Sequence, residues 1–125
     1  MPAKLIILIG GLYGLLAVLL GAFGAHGLKA RLTADALNWW GVAVDYHFLH
    51  GFGLLMVGSH LDRAPRPNAL VISGRLFTAG LFLFCGSLYC LALTGQRWLG
   101  MVTPFGGLCF LIGWLFFAYS FRTVK

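Results

Sequence analysis

Four long apolar runs, separated by short polar stretches, govern what this chain can fold into. They cover about residues 5–24, 39–60, 69–93 and 104–121. An α-helix rises 1.5 Å per residue and a bilayer's hydrocarbon core is about 30 Å thick, so a run of roughly 20 residues crosses it. The composition agrees, with 60% hydrophobic and only 10% charged residues. A soluble domain carries about 25% charged residues. A surface so poor in charge is one for lipid. The expected fold is an all-α membrane protein, a four-helix transmembrane bundle forming one integral domain over residues 1–125.

The first run follows Lys4 and is longer than the ~7–15 apolar residues of a signal peptide. The segment Ala22-Phe23-Gly24-Ala25 offers small residues at the spacing of a cleavage site. The run also carries Gly10, Gly14, Ala17, Gly21 and Gly24 at spacings of three and four. That stripe lets another helix approach closely, so the run is read as a retained helix. Gly86, Gly106, Gly107 and Gly113 are read as packing positions in the same way.

Thr33 is placed to cap the second helix, with Asp35 in its first turn, and Trp39 and Trp40 suit the aromatic belt. Asp62, Arg63, Pro65, Arg66 and Pro67 interrupt the chain before the third helix. Thr94 to Trp98 reads as a tight turn, and Thr103-Pro104 as a capped helix start with proline at its first position.

The formal charge of +6 does not point to nucleic acid, because the basic residues flank the apolar runs. They report topology and contact with anionic headgroups. Four spans put the two termini and the loop after the second span on one side. That side holds Lys4, Arg63, Arg66, Arg75, Arg122 and Lys125; the other holds Lys29, Arg31 and Arg97. The positive-inside rule then places both termini in the cytoplasm.

Ionisable residues inside a span are costly and mark candidate sites. The cluster is Asp45-Tyr46-His47-Phe48-Leu49-His50. At 100° per residue, Tyr46, His47 and His50 share one arc of a helix, with Asp45 on its flank. Measured from Trp39, His47 lies ~12 Å and His50 ~16 Å deeper, near the bilayer centre. His26, at the end of the first run, is the expected neighbour from another helix. Ser87 and Tyr89 add hydroxyls on the third span.

Four readings compete for this polar layer. The first is structural, with the side chains hydrogen-bonding between helices. The second is metal or haem ligation by His26, His47 and His50, although no recognised ligand spacing is present. The third is a proton relay or polar pore lining. The fourth is a lipid or quinone site using His and Tyr as donors. The three cysteines, Cys85, Cys90 and Cys109, all lie in apolar runs and read as small hydrophobes. No catalytic constellation is complete.

Several ordered segments carry a family resemblance. They are Leu20-Gly21-Ala22-Phe23-Gly24-Ala25-His26-Gly27-Leu28, Tyr46-His47-Phe48-Leu49-His50, Phe84-Cys85-Gly86-Ser87-Leu88-Tyr89, and Thr103-Pro104-Phe105-Gly106-Gly107 with Gly113-Trp114. The chain resembles the YgdD-like bacterial inner-membrane family, catalogued as domain of unknown function 423 and similar to eukaryotic transmembrane protein 256. The resemblance implies a multi-pass inner-membrane protein of about four helices and brings no established reaction. Cys85 departs from the small hydroxyl residue more usual there.

The expected function is therefore that of a non-enzymatic structural, assembly or interaction component. Its expected partners are membrane lipid, further copies of itself or a larger membrane complex. No cofactor is assigned. The alternatives are a metal-, haem- or quinone-binding redox subunit and a proton or small-solute pathway.

Overall fold

The computed structural model describes residues 1–123. Lys125, counted above among the basic residues, lies outside the described residues. All the regular structure is helical among the described residues: α1 Ala3–His26, α2 Ala34–His60, α3 Pro67–Gly80, α4 Ser87–Thr94 and α5 Thr103–Ser120. A π-helical turn, Leu81–Gly86, fuses α3 and α4 into one helix, and a 3₁₀ turn, Arg97–Met101, leads into α5. Three helical stretches, Ala3–His26, Pro67–Thr94 and Arg97–Ser120, are long and apolar enough to cross a membrane. The polar cluster keeps α2 out of that group, yet α2 has 27 residues and ten of them are buried.

The chain folds as two helical pairs joined through α2. One pair is α1 with α2, the other α3 with α5, and α2 also packs on α3, the π turn and α4. The α1–α2 pair is antiparallel in continuous register. Gly58 lies against Ala3 and Ile7, Gly51 against Tyr13, Gly21 against Val44, and Gly24 against Trp40. Small residues make this contact possible. A Cβ at Gly10 would stand 2.9 Å from the Leu55 backbone nitrogen, nearer than a carbon can sit. Ala17 is also buried, but a Cβ at Gly14 would meet nothing within 4 Å, so Gly14 is not a close-packing site; the close approach there is at Gly51, whose Cβ would come within 3.4 Å of the Gly14 nitrogen.

The α3–α5 pair uses the same device. A Cβ at Gly106 would run into the Phe84 backbone, and one at Gly113 would lie 2.8 Å from the Phe77 ring. Gly107 stays looser, with the Phe84 ring 3.8 Å from its Cβ position. Gly86 has nothing within 4 Å of its Cβ position, so it is not a close-packing site. Leu54, Val57, Leu70, Phe77, Leu81 and Phe110 lie in the main core, and a smaller cluster of Leu28, Ala36, Trp40 and Ala92 closes one end.

Thr33 caps α2 by accepting the Ala36 amide at 3.2 Å. Two expectations need correction. Trp40 is not in an interfacial belt: it is 4% exposed and donates its indole N–H to the Leu20 carbonyl at 2.8 Å. Gly24 has no Cβ to obstruct it, so the indole lies flush against α1. Thr103 does not cap α5 with its side chain. Its hydroxyl contacts Ser87 at 2.6 Å instead, because the 3₁₀ turn has already begun the helical winding. The turn after α4 is closed by Gly95 at φ +70°, the left-handed geometry that a helix-ending glycine supplies.

Candidate functional site

His50 lies on the inner face of α2 and is 2% exposed. Its Nδ1 is 2.8 Å from the Tyr46 carbonyl, one turn earlier. A carbonyl only accepts, so Nδ1 carries the proton. Its Nε2 then accepts from the Trp114 indole N–H at 3.1 Å, and indole only donates. The geometry thus defines a neutral imidazole with both nitrogens engaged. The ring stacks on Phe110, with centroids 3.5 Å apart and planes 10° apart, and Phe77 meets it edge-on. His50 therefore fastens α2 to α5.

His47 faces the opposite pair of neighbours. Its Nδ1 is 3.0 Å from the Tyr89 hydroxyl on α4, and its ring meets Tyr13 of α1 edge-on at 5.5 Å. It is 3% exposed, and Nε2 has no partner among the described residues. A buried polar atom left unpaired costs about 1–3 kcal/mol. Tyr89 packs in turn on Trp40, 4.6 Å between centroids. Cys85 is buried in the core against which Tyr13 and Tyr89 lie, whereas Cys90 is exposed and Cys109 half-buried.

The single polar layer expected from the helical wheel is therefore divided. His47 points between α1 and α4, and His50 between α3 and α5. His26 joins neither. It is exposed at the end of α1, 13 residues from Tyr13, and so ~20 Å along the axis from the level of His47. Asp45 is exposed too, in a groove of about 310 Å³ between α1 and α2 that Lys29 and Trp40 also line. Among the described residues, no three His, Cys, Asp or Glu side chains are disposed to hold a metal ion. His26, His47 and His50 do not form a ligand set, and nothing in this arrangement supports the redox alternative.

Tyr46 and Ser87 complete the expected set. Tyr46 is exposed and lies against Phe84, 4.4 Å between centroids. It borders a largely apolar groove of about 570 Å³ between α2, the π turn and α5, where His50, Phe84, Phe110 and Trp114 form the wall. Ser87 is buried and bonds the Phe84 carbonyl at 3.0 Å and Thr103 at 2.6 Å, tying the π turn to α5. Trp114 and Thr103 are the partners that residue-by-residue reading overlooked. The available signal was Trp114 itself, a tryptophan in mid-span, where lipid offers its N–H no acceptor.

Residues 20–107 match the family described as protein of unknown function, DUF423. The chain is 42% identical over 112 residues to the UPF0382 membrane protein YwdK of Bacillus subtilis (strain 168), covering 90% of this chain and 91% of that one. It is 44% identical to the UPF0382 membrane protein SERP0230 of Staphylococcus epidermidis, covering 90% of each. It is 41% identical over 113 residues to a UPF0382 membrane protein of Haemophilus influenzae, again covering 90% of each. No solved structure matches the chain.

Proposed function

This chain belongs to the DUF423 family of proteins of unknown function, and from that premise we propose that it is a non-enzymatic component of the bacterial inner membrane. It serves there as a structural, assembly or interaction element. The observation that carries this reading is His50, whose two nitrogens are both engaged by neighbouring helices. A histidine bonded in this way holds a bundle together and has no lone pair free for a metal. The outward faces of α1 and α5 are rows of exposed leucine and phenylalanine, among them Leu8, Leu12, Leu15, Leu108, Leu111 and Leu115. These faces suit lipid, further copies of the chain or a larger membrane complex.

The chain crosses the membrane four times in this reading. α2 supports it by its length and by its pairing with α1 from Gly58 at one end to Trp40 at the other. A helix held in register along a spanning partner spans with it. Lys4, Arg63, Arg66, Arg75 and Arg122 outnumber Lys29, Arg31 and Arg97, which supports cytoplasmic termini.

Purified protein tests the functional reading. It should carry no Soret band and no stoichiometric metal, and should turn over neither lipid nor quinone. A bound cofactor or a measurable turnover would sink it.

A further inference from the structure

At the end of the bundle where α2 finishes and α3 begins, a groove of about 410 Å³ opens outward. Pro65, Arg66, Ile72, Phe116 and Tyr119 line it. Arg66 is held rather than free. Its Nη1 donates to the Tyr119 hydroxyl at 2.6 Å, its Nε donates to the Arg122 carbonyl at 3.1 Å, and its guanidinium lies 4.5 Å from the Tyr119 ring centre. Its backbone N–H bonds the Ser120 carbonyl at 3.2 Å. A guanidinium has five N–H donors. Two are engaged, and the other three make no bond to the described residues.

The surroundings fix the sign and the direction of a ligand. Among the described residues, Lys4, Arg63 and Arg122 lie at this end with Arg66, and Asp62 is the one acidic side chain there. Ile72 lies five residues past Pro67, ~8 Å deeper along the helix, and its exposed side chain with half-buried Phe116 makes the inner part of the groove apolar. A fixed cation above an apolar slot repeats the order of a phospholipid, phosphate above acyl chain. The groove at the opposite end differs, because Lys29 and Asp45 line it with opposite signs.

We propose that this groove is a binding site for an anionic phospholipid. The Arg66 guanidinium takes the headgroup phosphate, and one acyl chain lies along Ile72 and Phe116. A headgroup with an added ammonium is disfavoured by the surrounding cations. The proposal rests on the membrane-spanning reading above and names the lipid class that its basic side recognises.

Native mass spectrometry of the full chain, released from bilayers of equal phosphatidylglycerol and phosphatidylcholine, reads the preference directly. Retained phosphatidylglycerol should exceed phosphatidylcholine. Arg66→Gln should lower that excess about fivefold, the equivalent of the ~1 kcal/mol a basic residue contributes near an anionic surface. Ile72→Trp fills the slot and keeps every arginine, so it should lower the excess while leaving the loop anchor intact. Arg97→Gln, at the other end, should leave it unchanged. The proposal is overturned if Ile72→Trp retains the full excess, or if Arg97→Gln lowers it as much as Arg66→Gln. Displacement of the lipid by inorganic phosphate alone would also overturn it, by showing a phosphate site rather than a lipid site. The incorporation yield is read separately: a chain that never entered the bilayer would overturn the membrane reading and this proposal together.

Discussion

Replacing Trp114 by phenylalanine removes one N–H and little else. The aromatic ring stays against Phe77, 4.8 Å between centroids, and Phe117, 5.5 Å. What is lost is the donor to His50 Nε2. That nitrogen is then a buried acceptor with no partner, at a cost of about 1–3 kcal/mol. His50→Leu removes the acceptor itself and leaves the indole N–H without a partner. The two substitutions should therefore couple. Double-mutant cycles across membrane helices give about 0.6 kcal/mol per hydrogen bond and at most about 1.7. Reversible unfolding in mixed micelles, measured for both single variants and the double variant, gives the coupling energy. A value in that range supports the fastening of α2 to α5. Strict additivity, or an unchanged stability of Trp114→Phe, would refute the hydrogen bond and the tautomer assigned from it.

Other perturbations separate the remaining contacts. Gly106→Ala forces a methyl into the Phe84 backbone and should destabilise by about 1–3 kcal/mol, whereas Gly86→Ala meets nothing and should stay within about 0.5 kcal/mol of the parent in the same unfolding assay. Tyr89→Phe leaves both His47 nitrogens unpaired and should cost about 1–3 kcal/mol, while adding His47→Leu to it removes the remaining polar atoms and should recover part of that loss; a double variant less stable than Tyr89→Phe in thermal melting would refute the contact. In a cysteine-free background, an impermeant maleimide added to intact spheroplasts should label Ala30→Cys and spare Ala64→Cys. The opposite labelling would invert the orientation.

The helices were legible because hydrocarbon imposes a length and forbids unpaired backbone. The third run, 69–93, falls inside Pro67–Thr94, and the glycine stripe of the first run marks the face of α1 that meets α2. The division of the polar layer was not legible. A helical wheel gives the angle between His47 and His50 but not which neighbour fills each direction. Phe110 and Trp114 on one side and Tyr13 and Tyr89 on the other settle that, and they come from three separate helices, α5, α1 and α4. His26 failed as a partner for a simpler reason, since its height on α1 depends on the register of the α1–α2 pair. Trp40 looked interfacial by residue type and is buried because Gly24 gives it room. Thr103 looked like a cap until the preceding 3₁₀ turn moved the start of winding to Arg97.

The π turn at Leu81–Gly86 has a consequence for chain length. Such a turn holds one residue more than the α-helical path it replaces, so both flanks keep the faces they would have in an uninterrupted helix. Deleting one residue there, such as exposed Leu83, lets the backbone rewind as plain α-helix with Phe77 and Tyr89 still aimed at their own neighbours. The same deletion at Leu76 would turn everything beyond it by ~100° and carry Ser87 away from Thr103. The long helix thus has a slack coil built in at the level of Cys85, where it can lose a residue without losing its orientation.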